Sequence, residues 1–142
     1  MKKLVVILLL ISRLTVFPQV LTVEISGIRS DKGVIQLSVF CDQESFSNET
    51  PRAILKFTKE GLTNGSINLT LSNLPYGKYG IALIDDTNEN GKIDYRGFFP
   101  CEGFGFSNYH KRITSKPSFE SFSFEFSENR KKVKIEVLYL KN

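Results

Sequence analysis

Apolar and polar residues alternate with a period of two along most of this chain, the repeat that puts every second side chain on one face of a strand. Leu21, Val23 and Ile25 are interleaved with Thr22, Glu24 and Ser26. After a turn at Ser30-Asp31-Lys32-Gly33 the pattern resumes over Val34–Phe40, with Ile35, Leu37 and Val39 on one face. Residues 41–51 are polar and read as a loop into which Phe46 tucks back, and residues 52–58 form a third strand candidate. Glu60-Gly61 and Asn64-Gly65 punctuate the link to Ile67, Leu69 and Leu71. Asn73-Leu74-Pro75-Tyr76-Gly77 then turns the chain, with Pro presetting φ and Gly free to take a positive φ. Tyr79, Ile81 and Leu83 follow, then, beyond a long loop, Phe122, Phe124 and Phe126, and finally Val133, Ile135, Val137 and Tyr139. No window carries a 3.6-residue period. About seven short strands with turns between them predict an all-β chain, a single antiparallel β-sandwich over residues 20–142.

The amino end breaks this pattern. Met1-Lys2-Lys3 precedes an uninterrupted apolar run to Ile11, a basic start and apolar centre that read as a signal peptide over residues 1–19. The run is too short to span a bilayer. The same residues also suit a buried first strand. Beyond residue 20 no apolar stretch has the length of a membrane helix, so the mature chain is expected to have no transmembrane segment and to be secreted or periplasmic.

Charge changes the picture little. The chain has 142 residues and a formal net charge of +4. Three of its 19 basic residues lie among the first twenty, where there is no acid, leaving 16 against 15 acidic residues in the remainder. Such a balance offers no polyanion surface, and nucleic acid is excluded as a partner. Cys41 and Cys101 are a candidate disulfide in an oxidising compartment, where closing the loop between them would stabilise by roughly 4 kcal/mol. Two separate thiols acting as small hydrophobes are the equal alternative. Neither belongs to a CxxC pair, which argues against zinc.

The segment with the most specific chemistry is Asp86-Thr87-Asn88-Glu89-Asn90-Gly91-Lys92-Ile93-Asp94. Asp86, Asn88 and Asn90 at alternate positions offer three side-chain oxygens, Gly91 allows a sharp turn, Lys92 offers its carbonyl and Asp94 a second carboxylate. These fill positions 1, 3, 5, 6, 7 and 9 of an EF-hand-type loop. Asp85 and Glu102 are candidate additional ligands. The twelfth position, however, holds Gly97 in place of the bidentate Glu, and the flanks read as strands. A regulatory EF-hand is therefore rejected in favour of a structural calcium loop, with affinity on the order of 10⁻⁴–10⁻³ M. The competing reading is an Asx-rich loop whose side chains cap their own backbone without a metal.

Asn73-Leu74-Pro75-Tyr76-Gly77-Lys78-Tyr79, the 85–94 segment, Glu102-Gly103-Phe104-Gly105-Phe106-Ser107-Asn108 and Lys116-Pro117-Ser118-Phe119 occur in one order. Together they resemble the domain of unknown function 2141 family of exported bacterial proteins, over residues 20–140. The resemblance implies a secreted or periplasmic β-sandwich, transthyretin-like or immunoglobulin-like and akin to carboxypeptidase-regulatory modules, with no established activity. In that family a His-Asp pair usually precedes the acidic loop. Asp85 stands here in the His position, and Cys101 where a basic or polar residue is more common.

Other groups carry less. Ser107 or Cys101 with His110 can be drawn as a nucleophile pair, but no G-x-S-x-G elbow surrounds the serine and no acid is placed for the histidine. No catalytic residue is assigned. Eight of the 12 Phe residues fall between Phe98 and Phe126; they are expected to fold back onto a sheet rather than form an aromatic platform. Arg130-Lys131-Lys132 and Lys134 read as a solvated face. The expected function is an exported accessory or binding module, its envelope-protein or carbohydrate partner unknown. A metal- or carboxylate-dependent hydrolase and an adhesion or peptide-recognition module using a sheet edge are the alternatives.

Overall fold

The structure is a computed structural model and describes residues 18–140. The predicted leader at 1–19 therefore lies, but for its last two residues, outside the described residues. Among the described residues no helix is long and apolar enough to cross a membrane.

Among the described residues ten strands follow in chain order: β1 Val20–Ser26, β2 Val34–Phe40, β3 Ala53–Thr58, β4 Ile67–Ser72, β5 Gly77–Asp86, β6 Tyr95–Arg96, β7 Phe99–Pro100, β8 Gly103–Phe106, β9 Phe124–Phe126 and β10 Arg130–Glu136. One sheet has the order β10-β1-β4 and the other β3-β2-β5-β8, with β9 paired to the start of β5. The expectation of an all-β fold holds. Strand direction does not hold throughout, because β1 and β10 run parallel, Val23 opposite Val133 and Ile25 opposite Ile135. Parallel neighbours need a long crossover, and the whole of the second sheet lies between these two strands in the chain.

The alternating residues meet as foreseen. Leu21, Val23, Ile25, Ile67, Leu69, Leu71, Val133 and Ile135 face Ile35, Leu37, Val39, Tyr79, Ile81 and Leu83 in one buried cluster between the sheets. Each fully buried aliphatic side chain of this kind contributes about 1.5–3 kcal/mol relative to exposure. A second cluster covers the other face of the five-stranded sheet, where Phe40, Phe46, Phe119 and Phe122 pack with Ala82, Phe106 and Tyr109. Edge-on ring contacts bind it together, Phe46 to Phe122 at 4.9 Å and Phe40 to Phe46 at 5.2 Å between centroids.

Two local structures build that second layer. Residues 41–51, read as loop, contain the short helix α1 Gln43–Ser47, whose first turn is capped by Asp42 Oδ1 accepting the Ser45 N–H at 2.7 Å. Phe46 tucks in from it as expected. A 3-10 turn at Phe119–Ser121 rotates the chain, so Phe122 enters the outer cluster while Phe124 and Phe126 enter the inner one. Strict alternation through all three rings therefore fails at Phe122. Most of the Phe-rich region is buried, as expected, but Phe98 and Phe99 are not.

The two sheets also join along one side. The Phe104 N–H and carbonyl bond the backbone of Leu138, just past β10, at 3.0 and 2.8 Å. Gly103 and Gly105 make this approach possible: a Cβ on Gly105 would lie 2.6 Å from the Glu136 carbonyl oxygen and 2.7 Å from Ile135. Overpacking against backbone costs about 1–3 kcal/mol. Gly105→Ala is accordingly expected to lower unfolding free energy by about 2 kcal/mol in urea titration. A change within about 0.5 kcal/mol, the scatter of neutral surface substitutions, would show that β8 and β10 do not pack this closely.

Candidate functional site

Strand β5 ends in two consecutive carboxylates, and consecutive strand residues point to opposite faces. Asp85 continues the inward register of Tyr79, Ile81 and Leu83. Lys59 likewise follows Ala53, Leu55 and Phe57 beyond β3, and Tyr139 follows Val133, Ile135 and Val137 beyond β10. The three polar groups meet at one end of the core. Lys59 Nζ lies 2.5 Å from Asp85 Oδ1, with both side chains almost wholly buried, and among the described residues Oδ1 has no hydrogen-bond partner beside this ionic contact. Lys59 also donates to the Ser30 and Lys32 carbonyls at 2.8 and 2.5 Å. The Tyr139 hydroxyl donates to Asp85 Oδ2 and accepts the Arg29 N–H at 3.1 Å. Burial, then the hydrogen bond to the Asp85 carboxylate, pushes the Tyr139 phenol up to about 12.

Asp86 starts the acidic loop on the opposite face. Its backbone passes so close to Gly33 (φ +73°) that a Cβ there would lie 2.1 Å from the Asp86 carbonyl oxygen, which only glycine accommodates. The Asp86 side chain is fully buried. Its Oδ1 accepts the Asn90 N–H at 3.2 Å and its Oδ2 the Gly91 N–H at 2.8 Å. Asn88 Oδ1 accepts the Asn90 N–H at 3.2 Å, and Asn90 Oδ1 accepts the Lys92 N–H at 3.1 Å. The amide nitrogens of Asn88 and Asn90 both donate to Asp94 Oδ2, at 2.8 and 2.7 Å. Those two bonds, Asn88 first, hold the Asp94 carboxyl below the usual carboxylate range. The Asp94 N–H donates to Glu102 Oε2 at 2.7 Å, and Gln36 anchors the turn by donating to the Gly91 carbonyl at 3.3 Å.

Asp86, Asn88, Asn90 and Asp94 are thus brought into one connected loop, to which Glu102, just before β8, is bonded from outside. Lys92 takes part through its backbone. Asp85 is set apart, bound to Lys59 and Tyr139 on the other face. Among the described residues no three His, Cys, Asp or Glu side chains converge on one point; the further donors of this loop are amide oxygens. Cys41 and Cys101 are free thiols here, Cys41 half-buried and Cys101 exposed. Ser107 is fully buried, donating to the Phe122 carbonyl and accepting the Ile81 N–H, while His110 is exposed.

Two features escape the sequence reading. The Lys59–Asp85–Tyr139 cluster carries no motif, although the strand registers place all three residues inward. The connection after the loop, read as irregular, contains the hairpin of β6 and β7, with Tyr95 opposite Pro100 and Arg96 opposite Phe99. That hairpin is rooted in the loop, because the Asp94 carbonyl accepts the Cys101 N–H at 2.8 Å.

The sequence profile of a family described as "Uncharacterized protein conserved in bacteria (DUF2141)" matches residues 23–134. No curated protein and no solved structure matches the chain.

Removing one member of a buried ion pair leaves a charge without compensation, which costs about 3–5 kcal/mol. Lys59→Met is expected to destabilise by about that amount in urea titration, and adding Asp85→Leu to recover most of it. A Lys59→Met loss under about 1 kcal/mol would mean that the pair is hydrated rather than buried. Tyr139 gives a second expectation. Its folded-state value of about 12 exceeds its ordinary 10, so the stability that its phenol contributes is intact below pH 10 and disappears between pH 10 and 12. Compared with Tyr139→Phe, the wild-type chain should lose additional stability across that window. Parallel pH profiles for the two would contradict it.

Proposed function

The chain belongs to the DUF2141 family of uncharacterized bacterial proteins, and from that premise we propose that it is an exported, non-enzymatic β-sandwich module whose acidic loop is ordered by calcium. One observation carries the reading: Asp86, Asn88, Asn90 and Asp94 are already drawn into a single closed turn, with Asp86 buried and bonded to two consecutive backbone N–H groups. The donors available there are carboxylate, amide and carbonyl oxygens, the set that suits a hard cation and not zinc or copper. Asn88 and Asn90 now turn their amide nitrogens to Asp94. A half-turn of each amide, giving up the bonds that Asn88 and Asn90 Oδ1 accept from the Asn90 and Lys92 N–H groups, presents oxygen instead, which is how the loop would accept a cation beside that carboxylate. Glu102 holds the Asp94 backbone from outside the loop, the role of a support that fixes ligand orientation.

The ion's contribution is structural. It replaces weak amide contacts with charge-neutralising ones and fixes the connection between β5 and β8. Asp85 takes no part in this proposal, because Lys59 and Tyr139 occupy both of its oxygens. A metal- or carboxylate-dependent hydrolytic role gains nothing from the geometry either, since Asp86, Asp94 and Glu102 are each engaged by backbone N–H or amide groups of the loop itself.

Isothermal titration with calcium is expected to give a dissociation constant on the order of 10⁻⁴–10⁻³ M. At about ten times that constant calcium should add about 1.4 kcal/mol of stability, absent when EDTA is present. Asp94→Asn, which keeps the shape of the side chain, and Asp86→Ala should each abolish the heat. No heat and an unchanged melting temperature at millimolar calcium would remove the ion from the function.

A further inference from the structure

The hairpin beyond the acidic loop presents three aromatic rings that the core does not use. Tyr95 is 63%, Phe98 97% and Phe99 59% exposed. They account for three of the five large apolar side chains exposed among the described residues, the others being Ile54 and Tyr76. A rim of isolated exposed apolar residues is ordinary, whereas several on one hairpin mark a contact surface. The hairpin also carries Arg96 at the tip and follows Lys92, both exposed. The one acid between them, Asp94, has its carboxylate turned back to Asn88 and Asn90.

We propose that the β6–β7 hairpin is an interfacial membrane anchor, inserting Phe98 and Phe99 into the headgroup boundary of an anionic bilayer. The shape of the site selects this partner. Phe98 is almost wholly exposed on a convex tip, so no wall of the described residues stands beside it to form the concave pocket that a small apolar ligand requires. A bilayer needs no such wall. Aromatic rings settle at the boundary between headgroups and acyl chains, and neighbouring Lys and Arg side chains stay among the anionic phosphates. Tyr95, with a ring body and a polar hydroxyl, suits the shallow position between the two. The base is held firmly enough to present the tip, through the Cys101 N–H to the Asp94 carbonyl and the Asp94 N–H to buried Glu102. This inference goes beyond the calcium reading and does not require it, because the exposed rings and the anchored base are present in the loop without an ion.

The test is co-sedimentation of the purified chain with vesicles of phosphatidylcholine alone and of phosphatidylcholine mixed with phosphatidylglycerol, with EDTA throughout. The chain is expected to sediment with the mixed vesicles and less with the neutral ones. Phe98→Ser and Phe99→Ser should each lower partitioning by about tenfold, and Arg96→Gln by about fivefold on the mixed vesicles only. Urea titration should find these variants as stable as the wild type, because the substituted side chains are exposed. Absence of sedimentation, or sedimentation unchanged in the Phe98→Ser/Phe99→Ser double variant, would overturn the proposal. So would a lipid-free dimer, seen by analytical ultracentrifugation, that the same two substitutions dissolve, since the partner would then be a second copy of the chain.

Discussion

A carboxylate sealed inside an apolar core must be compensated, and in this fold that condition falls on Asp85. Isolating such a charge from water costs several kcal/mol even after relaxation. Lys59 meets the condition at 2.5 Å, and the two backbone carbonyls of the β1–β2 turn together with Tyr139 complete the enclosure. The consequence is geometric. The end of β5, the end of β3, the β1–β2 turn and the segment beyond β10 must all converge on one spot, or a charge is left unpaired. Ordinary apolar packing tolerates sliding, because any greasy neighbour serves. A lysine that has to reach one carboxylate and two carbonyls does not slide. The ion pair therefore sets the position from which the acidic loop departs, one residue later and on the opposite face.

That division of labour between adjacent carboxylates was legible in part. The period-two pattern placed Leu21, Val23, Ile25, Ile35, Leu37, Ile81 and Leu83 inward without help, because a one-residue slip would move the whole set to solvent. The pattern already put Tyr139 on the face of Val137; extending the register by one step assigns Asp85 inward with Leu83 and Lys59 inward with Phe57. A polar residue after a strand is usually solvated, so its inward parity is easily passed over. The fixed spacing of Asp86, Asn88, Asn90 and Asp94 was visible because loop chemistry depends on sequence intervals alone. The parallel pairing of β1 with β10 was not, since alternation gives the face of a side chain but not the direction of its neighbour strand. Helix α1 is five residues long, too short to show a 3.6-residue period. Phe122 left the register of Phe124 because a 3-10 turn, set by backbone hydrogen bonds at Ser118 and Phe119, intervenes.

Glycine completes what the apolar pattern begins. Gly103 and Gly105 lie on the face of β8 that meets the end of β10, where Tyr139, Val137 and the Glu136 carbonyl occupy the space of a side chain. The sandwich is thereby laced along one side, and the Tyr139 ring comes to rest beside Asp85. Exposed Arg29 stacks over that ring at 4.3 Å, adding a cation–π contact to the tyrosine. Sheet closure and the buried ion pair are thus a single arrangement: a bulkier residue in β8 would push away the tyrosine that bonds the carboxylate.

The chemistry of the molecule is concentrated in one excursion, and the sheet explains why it can be. Asp85 pairs in register with Gly103, and Glu102 immediately precedes that pair. The ends of the excursion are therefore brought together by the core itself, so the entropy of closing it does not fall on the loop. Inside that boundary the loop needs only enough interaction to choose among its own conformations. Amide contacts to Asp94 and the bonds from Asp86 supply this without any ligand. An ion or a membrane surface that engages the excursion acts on a segment already gathered at its base, and neither has to alter the sheets. Weak, reversible binding at this end of the sandwich is what such a construction favours: the scaffold bears the cost of order, and the loop and hairpin are left free to answer their surroundings.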